Sequence, residues 1–397
     1  MPRSRAILVG SLGLALALRL AFSLGYWVGK PLTHDEQEYW TLSRNLAAGR
    51  GLVYDDDGHE HFGRAPGYAV FLAAVRSIDD SIAAVKVAQS VLGAFGVAVI
   101  AMLATRAAGP RAGAAASVIA ALYPPLVWMP GYLLSETLYS LLALVGTLLL
   151  WRALDRPTPG KFFATGIAIG LTALVRPVAI PFLALVVLVL GLGRRVLPAV
   201  VLVLGAAIIV GPWAAWKTHE SGRLILIASE GGITFWTGNH PLAIGEGDMA
   251  ANPAIQAANR ELRAAHPGLS PDEMEPVYYR EALEFIRAEP LRFLALLPRK
   301  LFYLWVPVGP GYELHSALYR HSARISYLIL LPFAVVGFLR LVGSRREALP
   351  LWLLAGSAVL ACLVFFPQDR YRVPAIDPVM IICAASLADV RRSRVPA

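Results

Sequence analysis

Charged residues are scarce in this chain. They account for 16% of its 397 residues, while 57% are hydrophobic, and an ordinary soluble domain carries roughly a quarter charged residues. A water-soluble globule of this composition would aggregate. The apolar residues occur in blocks of about twenty, the length that a helix needs to cross roughly 30 Å of hydrocarbon. The composition therefore predicts a membrane protein with several spanning helices.

Three further absences narrow the class of protein. The apolar stretch 180–192 lacks the alternation that marks barrel strands. Only two cysteines occur, Cys362 and Cys383, each inside an apolar block, so neither a disulfide framework nor a cysteine zinc site is expected. No glycine-rich nucleotide-binding motif is present, which argues against ATP-driven chemistry.

The net charge of +9 comes from short clusters between the apolar blocks, not from one basic face, so nucleic acid is not an expected partner. Because cytoplasmic loops carry the excess of arginine and lysine, these clusters predict that both termini lie on the cytoplasmic side of the membrane. We expect that membrane to be a bacterial inner membrane. The first block resembles a signal peptide but lacks a clear cleavage site, so we expect it to be retained. The ten predicted spans are 6–28, 83–105, 112–131, 133–151, 162–175, 178–193, 196–216, 325–342, 348–366 and 372–389.

We expect an all-α polytopic membrane protein with about ten transmembrane helices, external interfacial helices and a small external α/β cap. The stretch 291–306 mixes cations with aromatic residues, as a helix at headgroup level does. If it crossed the membrane, the basic C-terminus would face outward against the charge rule. The predicted parts are a membrane module at 1–216 with a catalytic external loop at 30–76, an external cap at 217–324 and C-terminal helices at 325–397.

The sequence around Asp35, directly after the first predicted span, gives the clearest indication of a catalytic site, with three carboxylates within 35–38. Crowded carboxylates near a bilayer raise at least one pKa, which suits a general base; a solvated helix start would explain the same residues. The acidic stretch 55–61, which includes His61, could hold a divalent cation or form a polar turn. Arg64 then follows, and it could bind a phosphate or pair with an acidic neighbour.

Arginines predicted on the external side are a second indication of a binding site. Arg370 and Arg372 lie between the last two spans, against the charge rule. Binding a lipid-linked phosphate would explain them, and snorkelling to headgroups is the alternative. Arg176 repeats the violation in a tight external turn. Arg19 and Glu136 lie in or beside apolar blocks, where ionisable residues usually face a cavity or a partner.

These residues resemble a pattern found in the polytopic C-fold glycosyltransferases that use polyprenyl-phosphate sugars, among them protein O-mannosyltransferases and aminoarabinose transferases. In that family an Asp-Glu pair follows the first span, then a tyrosine, then a basic residue and a re-entering proline. Arg64 and Ala65 stand here where many relatives have Lys-Pro. The matching positions are Asp35, Glu36, Tyr39, Arg64, Pro66, Glu136, 231–239 and 370–375.

The resemblance implies an inverting glycosyltransferase. It would move a sugar from a polyprenyl-phosphate donor to a hydroxyl of a lipid, glycan or protein at the external face, among membrane lipids. A transporter or lipid flippase, a glycan ligase and a non-catalytic scaffold are the alternatives. The residue patterns and the resemblance together predict these site residues: Asp35, Glu36 and Glu136 for catalysis, Arg64, Arg176, Arg370 and Arg372 for the lipid phosphate, and Tyr39, His61 and Tyr371 for substrate, with any metal unassigned.

Overall fold

The computed structural model describes residues 2–54, 63–246, 252–306, 316–343 and 348–389. Within those ranges the regular structure is helical and there is no β-strand, so the all-α class is confirmed. The strand component predicted for the cap is wrong, because the described part of 217–324 forms helices only. Its apolar residues recur at helical spacing, and they pack into one core between helices.

The helices are numbered in chain order. The N-terminal part contains α1 (Pro2–Leu20), a π-helical turn (Ala21–Tyr26), α2 (His34–Ala47), α3 (Pro66–Arg76), α4 (Ile82–Ala108), α5 (Pro110–Leu122), α6 (Pro124–Trp128), α7 (Glu136–Asp155), α8 (Pro159–Val175), α9 (Ile180–Leu192) and α10 (Val196–Ser221). The cap contains α11 (Gly231–Gly238), α12 (Pro253–Ala264), α13 (Pro271–Ala288) and α14 (Pro290–Trp305). The C-terminal part contains α15 (Ala317–Val342), α16 (Leu349–Val364) and α17 (Asp369–Ser386).

Every predicted span falls on a helix or a pair of helices, and the chain is a multi-pass membrane protein. Five of the described helices are long and apolar enough to cross a membrane, and the bent pair made of Pro110–Leu122 and Pro124–Gly131 is a sixth candidate. Three more apolar helices, α8, the segment Pro177–Leu192 and α16, are shorter. The placement of α14 at the membrane surface and the limits of the three predicted parts stay predictions.

The bend between α5 and α6 has a local cause. The two segments meet at 64°, and Pro124 begins α6. Proline has no N–H, so the carbonyl of Ala120 loses its helical donor. Arg19, only 1% exposed, donates from Nη2 to that carbonyl at 3.4 Å and from Nη1 to the Ala15 carbonyl at 3.0 Å. The buried cation of the first span thus has backbone carbonyls as its partners.

Small residues let the membrane helices approach closely. A Cβ added at Gly166 would lie 1.9 Å from the carbonyl oxygen of Leu202, and one added at Gly205 would lie 2.3 Å from that of Phe163. The two glycines therefore face each other across the crossing of α8 and α10. Such small-residue contacts are a common way for helices to pack in lipid, where apolar burial alone gives little preference.

Helix α11 joins the cap to the membrane helices. A Cβ at Gly232 would lie 2.5 Å from the Glu275 carbonyl oxygen in α13, and one at Gly238 would lie 2.0 Å from the carbonyl oxygen of Phe365, just after α16. At its end, buried Asn239 donates to the Val364 carbonyl at 2.9 Å and accepts from Lys300 of α14 at 2.9 Å. These contacts fix the cap against the end of α16.

Candidate active site

A cleft of about 1440 Å³ opens between the cap and the ends of several membrane helices. Its walls come from the first turn of α2, the turn between α8 and α9, the start of α17 and the cap helices α11 and α13. The predicted site residues that line it are Asp35, Tyr39, Arg64, Arg176, Arg370 and Tyr371.

Asp35 lies in the first turn of α2 between two guanidinium groups. Arg370 Nη1 is 2.5 Å from its Oδ2, and Arg64 Nη2 is 3.0 Å from its Oδ1. Burial alone would raise the pKa of Asp35, but Arg370 and Arg64 outweigh it and hold the pKa well below its ordinary value. In this arrangement the carboxylate is ionised but is a weak base.

Arg64 also contacts two carboxylates that the sequence analysis did not assign. It forms ion pairs with Glu38 and, through Nε at 3.3 Å, with Glu230 of the cap. Its guanidinium lies over the Tyr39 ring, 4.9 Å from the centroid. Glu230 is 44% exposed along its side chain, towards the cleft, but desolvation by the surrounding protein raises its pKa. The pKa of Asp35 is therefore lowered where the sequence predicted a raised value, and the carboxyl at the cleft whose pKa is raised is Glu230, outside the predicted cluster.

Glu136 connects the other two arginines. Its Oε1 is 2.7 Å from Arg370 Nε and 2.6 Å from Arg176 Nη1, and its side chain is only 7% exposed. Its second oxygen, Oε2, is buried and has no hydrogen-bond partner among the described residues. Arg176 also lies 5.4 Å from the ring centroid of Tyr371. A carboxylate so placed keeps both guanidinium groups at the cleft.

Two of the predicted site residues, Glu36 and Arg372, do not line the cleft. Glu36 accepts hydrogen bonds from Thr33 N–H and the Thr33 hydroxyl, both at 2.8 Å, and from Leu133 N–H at 2.8 Å. Its carboxylate therefore caps α2 and ties it to the segment after α6, and it does not orient Asp35.

Arg372 is buried at 3% exposure and pairs with Asp377 at 3.1 Å and Asp369 at 3.2 Å. Because it lies two positions after Arg370 on a helix, its side chain leaves the opposite face, and it does not line the cleft. Arg372 is therefore not placed where it could contact a lipid phosphate in this cleft, contrary to the sequence prediction. His61 and the rest of 55–61 lie outside the described residues.

The described part of the chain contains one group of side chains that could coordinate a metal ion. Ligand atoms of His34, Asp35 and Glu38 lie within 4.8 Å of one another, and imidazole with carboxylate oxygens suits divalent cations. The same carboxylates are held by Arg64 and Arg370. A cation would therefore fit only where the guanidinium groups give up these contacts.

Comparisons with known proteins agree with this architecture. The sequence model of the family described as dolichyl-phosphate-mannose-protein mannosyltransferase matches residues 63–216. The apo oligosaccharyltransferase of Archaeoglobus fulgidus aligns with a TM-score of 0.59 and 14% identity over 97% of this chain and 50% of its own. The oligosaccharyltransferase AglB from Archaeoglobus fulgidus, in complex with an inhibitory peptide and a dolichol-phosphate, aligns with a TM-score of 0.54 and 14% identity over 97% of this chain and 50% of its own.

This chain thus spans about half the length of those archaeal enzymes and has their fold, which confirms the C-fold architecture that the sequence resemblance implied. ArnT from Cupriavidus metallidurans bound to undecaprenyl phosphate aligns with a TM-score of 0.48 and 15% identity over 96% of this chain and 77% of its own. No curated protein matches the chain by sequence.

Proposed function

We propose that this protein is a membrane glycosyltransferase. It moves a sugar from a polyprenyl-phosphate donor to an acceptor hydroxyl, with inversion, at the external face of a bacterial inner membrane. The observation that carries the proposal is the position of Asp35 between Arg64 and Arg370 in a cleft at the helix ends, with Arg176 lining the same cleft and joined to Arg370 through Glu136. The matched mannosyltransferase family and the dolichol-phosphate bound to AglB support the choice of donor.

The three arginines suit a lipid phosphate. Guanidinium groups bind phosphate oxygens through pairs of N–H donors, and Arg64, Arg176 and Arg370 all line the cleft. Beside them, Val178, Ile180 and Pro181 give the cleft an apolar wall. The phosphate would bind at the arginines while the polyprenyl chain follows this wall towards the membrane.

Donor binding would also prepare the base. When the phosphate takes over Arg370 and Arg64, Asp35 loses the two charges that lower its pKa, so its basicity increases only with donor in place. Asp35 then removes the proton of the acceptor hydroxyl, and the oxygen attacks the anomeric carbon from the side opposite the phosphate. The bond from that carbon to the phosphate oxygen breaks. Its electron pair stays on the phosphate, where the arginines stabilise the charge.

The test compares wild type with Asp35→Asn in detergent. A panel of polyprenyl-phosphate sugars is supplied with a membrane lipid extract as the acceptor source, and donor loss and polyprenyl-phosphate release are followed by mass spectrometry. Asp79→Asn is the matched control, because Asp79 is an exposed carboxylate outside the cleft wall. We expect a loss of roughly 10²–10⁴-fold for Asp35→Asn and none for Asp79→Asn.

Equal turnover by wild type and Asp35→Asn would remove Asp35 from the reaction. Absence of turnover by wild type with every donor would overturn the transferase and favour a transporter or flippase. Equal melting temperatures of the three proteins are the condition for reading either result.

A further inference from the structure

The outer part of the cleft carries a second group of arginines, contributed by the cap. Along α13, Tyr279, Arg280, Leu283 and Arg287 line the cleft. They recur at helical spacing, so they form one face of the helix. The opposite face packs its apolar residues into the core of the cap: Met274, Val277, Tyr278, Ala282 and Phe285. The core therefore fixes which face of α13 looks into the cleft.

Arg223, just after α10, extends this group. Its Nε and Nη2 atoms are buried and have no hydrogen-bond partner among the described residues. The neighbouring carboxylate is Glu275, at 3.6 Å from Nη2. That carboxylate already accepts backbone hydrogen bonds from Gly231 and Gly232 at the start of α11. Arg223 thus lines the cleft, its Nη2 atom is paired with Glu275, and its Nε atom has no hydrogen-bond partner among the described residues.

The two ends of the cleft differ in charge balance. At the inner end, Arg64, Arg176 and Arg370 contact four carboxylates, those of Asp35, Glu38, Glu136 and Glu230. At the outer end, Arg223 pairs with Glu275, while Arg280 and Arg287 line the cleft and form no ion pair with any described residue. The outer end is therefore positively charged where the inner end is compensated, and an anion is the complementary ligand.

Apolar side chains accompany the outer arginines. Leu224 is 77% exposed, Leu226 is 56% exposed and Leu283 is 40% exposed, and all three line the same cleft. A solvated helix face would explain arginines, but it would not place three exposed leucines among them. Leucines beside cations suit a molecule with an acyl chain and an anionic head group.

We propose that the acceptor is an anionic lipid whose head group carries a phosphate near the hydroxyl that receives the sugar. Arg223, Arg280 and Arg287 bind that phosphate, and Leu224, Leu226 and Leu283 contact the lipid chain. This inference rests on the proposed transferase function and names its acceptor class. It gives the cap a role in choosing the acceptor, while the inner arginines bind the donor.

The test measures lipid binding, not turnover. Wild type in mixed micelles is exposed to equal amounts of phosphatidylglycerol and phosphatidylcholine, and the lipids retained are counted by native mass spectrometry. The test variant is Arg280→Gln/Arg287→Gln, and the matched control is Arg260→Gln/Arg263→Gln, which removes two exposed cap arginines outside the cleft wall. We expect a tenfold or greater loss of phosphatidylglycerol affinity in the test variant and less than twofold in the control.

A second measurement distinguishes a lipid ligand from a soluble phosphate compound. Glycerol phosphate is titrated as a competitor, and we expect it to displace phosphatidylglycerol only at a concentration a hundredfold or more above that of the lipid. Equal loss in both double variants, no preference for phosphatidylglycerol, or competition by glycerol phosphate at equal concentration would overturn the inference. Because binding needs no donor, Asp35→Asn should retain phosphatidylglycerol, so failure here is distinct from failure of the transferase.

Discussion

Replacing Glu36 with glutamine distinguishes a structural carboxylate from a catalytic one. The side chain is 1% exposed, and its two oxygens accept three hydrogen bonds, two from Thr33 and one from Leu133. A glutamine side chain offers one carbonyl oxygen and one NH₂ group. Whichever way the amide is turned, its NH₂ group faces at least one backbone N–H that then has no acceptor.

The loss of folding free energy expected for Glu36→Gln follows from these hydrogen bonds. One buried N–H left without an acceptor costs about 1–3 kcal/mol, and the remaining bonds lose the assistance of the negative charge, which is worth about 1 kcal/mol. We therefore expect Glu36→Gln to lose about 2–4 kcal/mol of folding free energy. The folded fraction should consume donor at a rate close to that of wild type, since Glu36 does not line the cleft.

The assay records melting temperature in detergent and donor consumption per folded molecule for the same preparations. Glu284→Gln, an exposed residue of the cap, is the control for the same chemical change at a position without buried partners, and it should alter neither quantity. A Glu36→Gln protein that melts like wild type but has lost turnover would refute the structural assignment and return Glu36 to the reaction.

Two further predictions concern other parts of the cleft. Arg370→Lys should lower turnover by roughly 10²–10³-fold, because an ammonium group cannot reach Asp35 and Glu136 with the fixed geometry of a guanidinium; near-normal turnover would contradict this. Gly238→Ala should lower the free energy of unfolding by about 1–3 kcal/mol, seen as a lower melting temperature, because its Cβ would lie 2.0 Å from the Phe365 carbonyl oxygen. Gly211→Ala, where the added Cβ meets nothing within 4 Å, is the control and should be neutral or slightly stabilising.

The membrane helices could be predicted from the sequence because apolar runs of about twenty residues have one common explanation. The break in the span predicted at 112–131 was missed, although Pro124 and Pro125 are visible in the sequence. A proline pair can end a helix, kink it or be accommodated by neighbours. Here the Ala120 carbonyl freed by Pro124 accepts from Arg19, a partner about a hundred positions away in the sequence that the proline pair does not reveal.

The site was predicted in part, and helix geometry explains both the correct and the incorrect assignments. Asp35 and Glu36 are adjacent in sequence but about 100° apart around α2, so one faces the cleft and the other faces Leu133. Glu38 lies one turn after Asp35, on the same face, and this spacing could have identified it. Arg370 and Arg372 differ in the same way on α17. Glu230 gave no such signal, because it reaches Arg64 only through the fold of the cap.

The contact between Asp35 and Arg370 joins positions that are 335 residues apart, and this has a consequence for how the protein is made. During membrane insertion the N-terminal helices are in place long before α17 emerges, so Asp35 and Glu136 wait without the cation that bridges them. Helix α17 therefore completes the charge balance around Asp35 and Glu136, and in the proposed reaction a chain that stops before α17 should not consume donor.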